Sequence, residues 1–471
     1  MKRINLEYIV EGTKGRLYAT AEGGMYDSVT SVEIDNRRMK EECLFFCIVG
    51  AKVDAHTFLP NVRERGCHNV VVSNEEWAKK MADEGDMNVV LVENTEIALD
   101  NLAEKYMDDW TGLKKVAVSG SAGKTTTKEF LYSVLSTKYK TGKTIGNYNS
   151  ETGIPLTIFN SYEEDIELAI TEIGIGEGRD MKYLVGMVKP DNAVLTNVGS
   201  VHMEFFESSR EKLLEAKLRI TEYFDENNTL VVNNNEDNLS VESIKAHSSG
   251  KFNIVTVGNR ENSDYRITDI DDRGIDGAKG VLNHNGKHYE LEVPVVGAHN
   301  LYNAAEAIVI GQLYGISIED AIKAIKVIDM AKDRSDVHRG KYTIVNDTYN
   351  ANPEALKAAL EIIKNTKAKR KGLIVGSMGE LGNDAAELHR ESGRYIATCN
   401  LDFVATVGEL AGEIADELER VGGVESIYKF ETYDDLMAVL EKEILQEGDL
   451  FLVKGSNSLG LNRVVKEINN N

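Results

Sequence analysis

The chain has 471 residues, a length that predicts about three domains, and hydrophobic residues make up 42% of it, which excludes an intrinsically disordered protein. Its 54 basic and 77 acidic side chains give a formal net charge of −23, which repels a phosphate backbone, so we expect no binding to nucleic acid. Four cysteines without a CxxC pair exclude a disulfide framework and a zinc ribbon.

Neither the N-terminal segment nor any apolar stretch predicts export or membrane insertion. The N-terminal segment carries Glu7 among its apolar residues and lacks the apolar core of a signal peptide. The longest uninterrupted apolar stretch, Leu44–Val49, is far shorter than the roughly 18 residues that a membrane span needs. We therefore predict a cytoplasmic protein whose cysteines are reduced and buried.

Residues 1–110 are predicted to form a small α/β domain, because short strand-like runs alternate with helical patterns. The predicted strands are Val29–Ile34, Leu44–Val49, Val70–Val72 and Val89–Val92. Helical patterns cover Glu75–Glu84 and Ile97–Trp110, and Thr111-Gly112 then predicts a linker.

Residues 111–330 are predicted to form a larger central domain, and residues 331–471 a third, Rossmann-like domain. The predicted strands of the central domain are Val116–Val118, Leu168–Glu172, Ala193–Thr196 and Leu230–Val232, with helices over 128–137 and from about Asn300 to Tyr314. Residues 251–296 predict antiparallel strands around Asn285-Gly286. The predicted strands of the third domain are Tyr342–Asn346, Leu373–Val375, Phe403–Val407 and Leu450–Val453. Strands at this spacing, with helices between them, indicate an α/β protein with doubly wound, mostly parallel sheets.

The strongest signal is a small-residue loop between a strand and a helix. The segment from Gly120 to Thr127 has the sequence GSAGKTTT and follows the strand Val116–Val118. Small residues allow backbone N–H groups to surround phosphate oxygens, and the helix N-terminus favours negative charge. Lys124 can reach the β- and γ-phosphates of a nucleotide, and the Thr125 hydroxyl can ligate Mg²⁺. The predicted nucleotide-binding residues of this segment are Gly120, Ser121, Ala122, Gly123, Lys124, Thr125 and Thr126.

This loop is shorter than the general P-loop. Two residues rather than four separate its glycines, and Val118 stands where the first glycine usually lies. A helix cap on a Ser/Gly turn, with Lys124 merely exposed, is the alternative interpretation. The order of strand, loop, Lys-Thr and helix favours nucleotide binding.

Glu172 ends a predicted strand and is a candidate metal ligand. A carboxylate at the carboxyl end of a parallel strand, beside the strand that leads into the phosphate loop, lies where Mg²⁺ would be held. A solvated acid at a strand end is the alternative interpretation.

A second motif follows the phosphate loop: Gly146–Pro155 has the sequence GNYNSETGIP. Together with GSAGKTTT, it resembles the Mur ligase family, ATP-dependent enzymes that add amino acids or dipeptides to the peptidoglycan precursor. Asp35–Arg37 and Gly50–Phe58 resemble the N-terminal domain of the family, which holds a UDP-sugar, so the resemblance extends over nearly the whole chain. It implies that the UDP-linked substrate is bound by Asp35, Arg37, Asp54 and His56.

Three later segments resemble one branch of this family. They are DTYNANP at Asp347–Pro353, GSMGELG at Gly376–Gly382 and VKGS at Val453–Ser456. The substrates of that branch are UDP-N-acetylmuramoyl-tripeptide and D-alanyl-D-alanine, and the third residue of the tripeptide stays open between lysine and diaminopimelate. The resemblance implies that substrate is contacted here by Asn350, Asn352 and Lys454.

The resemblance also implies ATP and two Mg²⁺ ions. The implied metal ligands are Thr125, Glu172, His202 and Lys217, with Lys217 carbamylated by CO₂. The implied contacts to ATP are Asn300 and Asn303, with Asn303 near the adenine, then Arg334 at the phosphates and Asp347 at the ribose. The implied catalytic residues are Lys124, Lys217, His202 and Arg334. Without the resemblance, Lys217 is an ordinary helix lysine, Asn300 a helix cap and His202 a surface residue.

The implied reaction passes through an acyl phosphate. The γ-phosphate of ATP is transferred to the tripeptide carboxylate, and the amine of the dipeptide then attacks the acyl carbon. We expect a monomer.

One alternative is a sister ligase, either for another acceptor or for folate polyglutamylation, and the UDP-sugar-like N-terminal domain argues against the folate enzyme. The other is a non-catalytic ATP-binding protein on the same fold, against which stand the intact residues Lys124, Thr125, Glu172, His202 and Lys217.

Overall fold

The structure is a computed structural model that describes residues 1–24, 26, 28–40, 42–175, 181–199, 209–328, 336–348, 351–379, 381–456 and 459–469. The chain forms two compact units. Unit 1 comprises Met1–Thr256 and Val309–Ile316, and unit 2 comprises Val257–Ile308 and Ser317–Asn471.

The first part of unit 1 contains a five-stranded sheet and a separate pair of short strands. The seven strands of this part are β1 (Ile4–Asn5), β2 (Arg16–Ala19), β3 (Ser28–Val29), β4 (Ser31–Glu33), β5 (Cys43–Phe46), β6 (Asn69–Val72) and β7 (Asn88–Leu91). Its helices are α1 (Leu6–Thr13), α2 (Leu59–Glu64), α3 (Glu75–Ala82) and α4 (Thr95–Asp108). The sheet has the order β2-β7-β6-β5-β4 and is parallel except at β2, while β1 and β3 form a separate antiparallel pair.

This sheet is buried on both faces, as its strand β5 illustrates. Leu44 and Phe46 pack into one apolar cluster, whereas Cys43 and Phe45 pack into another. Successive side chains of a strand point to opposite faces, so a continuous apolar run indicates helices on both sides of a parallel sheet.

Several predicted bounds in this region were wrong, and the strand predicted over 44–49 already ends at Phe46. The predicted strand over 29–34 is interrupted at Thr30 and forms β3 and β4 instead. The helix predicted over 97–110 begins earlier, at Thr95. Asn94 Oδ1 caps this helix by accepting hydrogen bonds from two backbone N–H groups of the first turn, at 2.9 and 3.0 Å.

The second sheet of unit 1 carries the predicted phosphate loop. Its strands are β8 (Lys114–Ser119), β9 (Thr141–Lys143), β10 (Leu168–Glu172), β11 (Asn192–Leu195), β12 (Thr229–Asn233) and β13 (Asn253–Gly258). Its helices are α5 (Lys124–Leu135), α6 (Gly153–Asn160), α7 (Met181–Val188), α8 (Arg210–Leu218) and α9 (Val241–Ala246). The order is β13-β12-β11-β8-β10-β9, and the pairs from β12 to β9 are parallel. The carboxyl ends of β8, β10 and β11 therefore lie at one edge.

The first part of unit 2 is an antiparallel hairpin followed by helices. The last two residues of β13 pair with β14 (Tyr265–Asp272), and β14 is followed by the antiparallel strands β15 (Ala278–His284) and β16 (Lys287–Val293). Asn285 and Gly286 join β15 to β16 with φ values of 47° and 73°, which two-residue hairpin turns require, so the predicted hairpin is confirmed. The helices α10 (Asn300–Leu313) and α11 (Ile318–Ile325) follow, and α10 ends in unit 1.

The rest of unit 2 is a six-stranded sheet with helices on both faces. Its strands are β17 (Asp336–Arg339), β18 (Thr343–Asp347), β19 (Lys371–Gly376), β20 (Phe403–Val407), β21 (Ser426–Phe430) and β22 (Leu450–Lys454). Its helices are α12 (Pro353–Asn365), α13 (Ala385–Ile396), α14 (Glu409–Val421), α15 (Tyr433–Val439) and α16 (Asn462–Asn469). The order is β17-β18-β22-β19-β20-β21, and only β17 is antiparallel to its neighbour. Leu373 and Val375 pack into one core and Ile374 into the other, because the strand alternates between faces.

The predicted α/β architecture with mostly parallel, doubly wound sheets is confirmed. Each predicted domain contains its own sheet, and the exact boundaries at 110/111 and 330/331 stay predictions. All four cysteines are buried and free. Within the described ranges, no helix combines the length and the apolar character needed to cross a membrane.

Candidate active site

The phosphate loop, residues 120–123, connects β8 to α5 at the carboxyl edge of the second sheet of unit 1. β8 ends at Ser119, and α5 begins at Lys124 with Gly123 as its N-cap. Gly120 and Gly123 have φ values of 151° and 80°, a backbone region that residues with a Cβ rarely adopt. The order of strand, loop and helix is confirmed, although the helix begins four residues before the predicted start at 128.

The segment after β11 packs against the phosphate loop. Thr196 Oγ1 donates to Ala122 O at 2.6 Å, and Asn197 Oδ1 accepts from the Ala122 N–H at 2.8 Å. The Gly199 N–H donates to Ser121 Oγ at 2.9 Å. Thr196 and Asn197 were not predicted as partners of the loop, although they directly follow a strand that neighbours β8.

Replacing Gly120 with alanine should weaken nucleotide binding, because a Cβ at this position would lie 2.0 Å from Thr196 Oγ1. The loop must shift to relieve this overlap, and strain of this kind should raise the Kd for ADP at least about 10-fold in a calorimetric titration. Gly112→Ala is the matched control, since Gly112 also has a positive φ, 79°, but open space around its Cα. Equal ADP affinity in Gly120→Ala and Gly112→Ala would contradict this role of Gly120.

Lys124 bends back over the phosphate loop from the start of α5. Its Nζ donates to Gly120 O at 2.8 Å and lies 3.5 Å from Ser121 O. The ammonium group therefore adds a positive charge beside the N-terminus of a helix, where the helix dipole also favours anions. Thr126 lies in the same first turn and is half-buried. This combination suits phosphate binding.

Glu172 lies at the end of β10 and is 0% exposed, so the alternative of a solvated acid is wrong. Thr125 Oγ1 lies 3.2 Å from its Oε1 and 3.0 Å from its Oε2. Asn149 Nδ2 donates to Oε1 at 2.8 Å, and Lys128 Nζ lies 3.6 Å from Oε2. The sequence contained signals for both unpredicted partners: Asn149 lies in the GNYNS segment, and Lys128 lies one helical turn after Lys124.

The Thr125 hydroxyl and the Glu172 carboxylate fit a Mg²⁺ ion. They are oxygen donors in mutual contact beside the phosphate loop, and Mg²⁺ prefers one or two protein oxygens together with phosphates and waters. In the part of the chain that the structure describes, no group of three or more His, Cys, Asp or Glu side chains could hold a metal ion. His202 lies outside the described residues, so its predicted role stays a prediction.

Lys217 lies on α8 and is fully buried. Burial lowers the pKa of its ammonium group well below the usual value, and the nearby positive charge of Lys124 lowers it further. Burial therefore favours the neutral amine, which is the form that reacts with CO₂. Its carbamylation stays a prediction.

The four predicted substrate residues of the N-terminal region form two local pairs. Arg37 Nη2 lies 2.8 Å from Asp35 Oδ2, and hydrogen bonds from Arg37 lower the pKa of Asp35 to about 2. His56 Nδ1 lies 2.6 Å from Asp54 Oδ1, while His56 Nε2 accepts from the Ser73 N–H at 3.0 Å. The buried His56 ring has both nitrogens in internal hydrogen bonds and holds Asp54 in place.

Asp347 and Lys454 form an ion pair at the carboxyl ends of β18 and β22 in unit 2. Lys454 Nζ lies 2.5 Å from Asp347 Oδ2, and the two residues are register partners of neighbouring parallel strands. Asn352 caps α12, with its Oδ1 accepting from the Ala355 N–H at 2.8 Å. The structure thus brings the predicted ribose contact and a predicted substrate contact together.

The predicted ATP contacts Asn300 and Asn303 are buried at the start of α10. Asn303 Nδ2 donates to Asn300 Oδ1 at 2.7 Å, and Asn300 Nδ2 donates to Val296 O at 2.8 Å. The two amides therefore fix each other on one side of the first turn, as their spacing predicts. Arg334 and Asn350 lie outside the described residues.

Comparison with known proteins identifies the family. The Mur ligase middle domain matches residues 118–311, and the family described as "Mur ligase, glutamate ligase domain" matches residues 333–457. The UDP-N-acetylmuramoyl-tripeptide–D-alanyl-D-alanine ligase of Bacillus subtilis (strain 168) is 31% identical over 452 residues, which cover 93% of each chain. This chain belongs to the Mur ligase family.

Solved structures agree with this assignment. MurF ligase from Thermotoga maritima, solved in complex with ADP, is 26% identical with a TM-score of 0.76 over 93% of this chain and 96% of that one. MurF from Acinetobacter baumannii is 24% identical and shares the fold over 99% of each chain, with a TM-score of 0.85. The fold therefore extends over the full length of these relatives.

Proposed function

We propose that this protein is an ATP-dependent ligase that joins D-alanyl-D-alanine to UDP-N-acetylmuramoyl-tripeptide in peptidoglycan synthesis. The observation that carries the reaction class is the phosphate loop with the buried Thr125–Glu172 contact directly beside it. The choice of substrates is supported by the Bacillus subtilis relative, which is named for this reaction and matches at 31% identity along 93% of both chains.

In this proposal, ATP is bound at the phosphate loop of unit 1. Backbone N–H groups at the start of α5 and the ammonium of Lys124 surround the phosphates. Thr125 and Glu172 hold the Mg²⁺ ion, which neutralises phosphate charge when bound. A second Mg²⁺ would be held by His202 and a carbamate on Lys217, whose burial favours the neutral amine that carbamylation requires.

The reaction requires activation, because a carboxylate is a poor electrophile and cannot release hydroxide readily. Transfer of the γ-phosphate of ATP to the tripeptide carboxylate forms an acyl phosphate and ADP. The neutral amine of the dipeptide then attacks the acyl carbon, the C–N bond forms and phosphate leaves. Lys124 and Arg334 offset the charge that the phosphates carry during the transfer.

The acceptor and the UDP-linked substrate are assigned to residues outside the phosphate loop. Lys454 can donate a hydrogen bond to the carboxylate of the dipeptide when its ion pair with Asp347 opens. In the same step Asp347 becomes available to bind the ribose of ATP. Asn350 and Asn352 are assigned to the binding of the same dipeptide. The UDP-sugar is assigned to Asp35, Arg37, Asp54 and His56. We assign the reaction to the cytoplasm, where ATP is available, and to a monomer.

The test is a coupled assay of ADP formation with D-alanyl-D-alanine, L-lysine, diaminopimelate and D-glutamate, each with the matched UDP-precursor. We expect turnover only with the dipeptide and UDP-tripeptide together, because without an acceptor amine the acyl phosphate cannot be converted to the amide product. Lysine-containing and diaminopimelate-containing tripeptides are compared in the same assay.

Each alternative gives a different result in this assay. Preference for a single amino acid would assign the protein to another branch of the family. ADP formation with folate and glutamate would assign it to folate polyglutamylation. Nucleotide binding without turnover on any pair would assign it to the non-catalytic class.

A further inference from the structure

The Glu172 carboxylate needs charge compensation before any metal binds. Its side chain is buried at the end of β10, and a buried carboxylate without a cation is strongly disfavoured. Thr125 and Asn149 donate hydrogen bonds to it, but both side chains are neutral. Among the residues that the structure describes, Lys128 is a cation in contact with it, with Nζ at 3.6 Å from Oε2.

Lys128 belongs to a network of alternating charges, which we call the α5 charge network. Its members are Lys143, Glu129, Lys128 and Glu172. Lys128 Nζ lies 3.3 Å from Glu129 Oε1, and Glu129 Oε2 pairs with Lys143. The two cations and two carboxylates sum to zero, so the network is balanced without a metal ion. Its outer member, Lys143, has a side chain that is 27% exposed, whereas that of Lys128 is 1% exposed.

Lys128 and Lys124 have different surroundings although they lie one turn apart on α5. Lys124 faces the carbonyl groups of the phosphate loop. Lys128 is held between two carboxylates and is buried, so its ammonium is not free to follow a phosphate group. The different contacts of the two lysines therefore indicate different roles: Lys124 is placed to bind phosphate, and Lys128 is placed to act on Glu172.

We propose that Lys128 is a positioning residue that compensates the charge of Glu172 in the metal-free protein and holds its carboxylate in contact with Thr125, ready for Mg²⁺. The inference rests on the proposed function, since it takes Glu172 as a ligand of the Mg²⁺ that accompanies ATP. The proposal has a specific consequence. In a variant without Lys128, a bound divalent cation should compensate the charge of Glu172 and restore stability.

The experiment measures thermal unfolding of the full chain in EDTA and in MgCl₂, without nucleotide. We expect Lys128→Met to lower the melting temperature by about 10 °C in EDTA, because Glu172 loses its cation. MgCl₂ should restore at least about half of that loss, whereas it should leave the wild type nearly unchanged. The double variant Lys128→Met/Glu172→Gln, which removes both charges, should melt close to the wild type in EDTA and should not respond to MgCl₂.

Lys143→Met is the matched control. It removes the outer cation of the same network, which does not contact Glu172, so its smaller loss of stability should be independent of MgCl₂. If Lys128→Met fails to fold while the double variant folds, the uncompensated charge of Glu172 is the cause and the proposal stands. Equal MgCl₂ responses in Lys128→Met, Lys143→Met and the double variant would overturn it.

These measurements use no ligase substrate and separate the two claims. A protein that shows the MgCl₂ response only in Lys128→Met, but does not join D-alanyl-D-alanine to the UDP-tripeptide, would retain the role of Lys128 and lose the proposed substrates. A protein that ligates normally but lacks this response would retain its function and lose the role of Lys128.

Discussion

Lys124→Ala should lower the rate of ligation at least about 100-fold and leave the fold intact. Lys124 places an ammonium group over the phosphate loop, with Nζ at 2.8 Å from Gly120 O, and no stability depends on burying this charge because the side chain is only half-buried. A preorganised charge at a transferring phosphoryl group typically contributes 10²-fold or more to the rate. The measurement is ADP release with saturating UDP-tripeptide and D-alanyl-D-alanine.

Lys79→Ala is the control for this experiment. Lys79 is an exposed lysine on α3, within the N-terminal region of unit 1, and its removal should change neither the rate nor the melting temperature. Normal turnover by Lys124→Ala would disprove the assignment of the phosphate loop. A loss of rate accompanied by an equal loss of stability would point to misfolding instead, which circular dichroism would detect.

Lys217→Met should abolish ligation without destabilising the protein. In the folded state, burial holds the pKa of the Lys217 amine well below its usual value, whereas in the unfolded chain the amine is protonated at neutral pH. Because the folded state binds this proton more weakly than the unfolded chain does, the buried amine costs stability at pH values below the unfolded pKa. Methionine of similar length removes that cost, so the melting temperature at neutral pH should stay equal or rise, while the variant cannot form the carbamate that we propose as a ligand of a second Mg²⁺.

The carbamate itself is measured directly by ¹³C NMR after addition of labelled bicarbonate. We expect a carbamate signal in the wild type and in Lys212→Ala, which removes an exposed lysine from the same helix, and no signal in Lys217→Met. Full activity of Lys217→Met at low Mg²⁺ concentration would rule out the proposed role. A melting temperature well below that of the wild type would contradict the cost assigned to the buried amine.

The sequence predicted the elements whose signals are local. The phosphate loop is a strand, a small-residue turn and a helix within a few residues, and β10 and β20 were predicted with their exact bounds because both strands are apolar and buried. The β15–β16 turn followed from Asn285-Gly286, since these residues tolerate positive φ.

Four edge strands of the three main sheets were not predicted. They are β2, β9, β17 and β21. An edge strand has a neighbour on one side only and is less buried, so its residues include many polar ones: β17 has the sequence DVHR and β9 has TGK. Periodicity and apolar content are then too weak to predict a strand.

The partners of the site residues were decided by the tertiary structure. Sequence motifs singled out Glu172 and Thr125, but Asn149 and Lys128 were found only where the ends of neighbouring elements meet. Asp347 and Lys454 likewise received separate roles, although β18 and β22 pair directly and join them at 2.5 Å. The physical reason is that strand order in a parallel sheet is independent of chain order, so a motif determines which groups reach the carboxyl edge, whereas the order of the strands determines which of those groups touch.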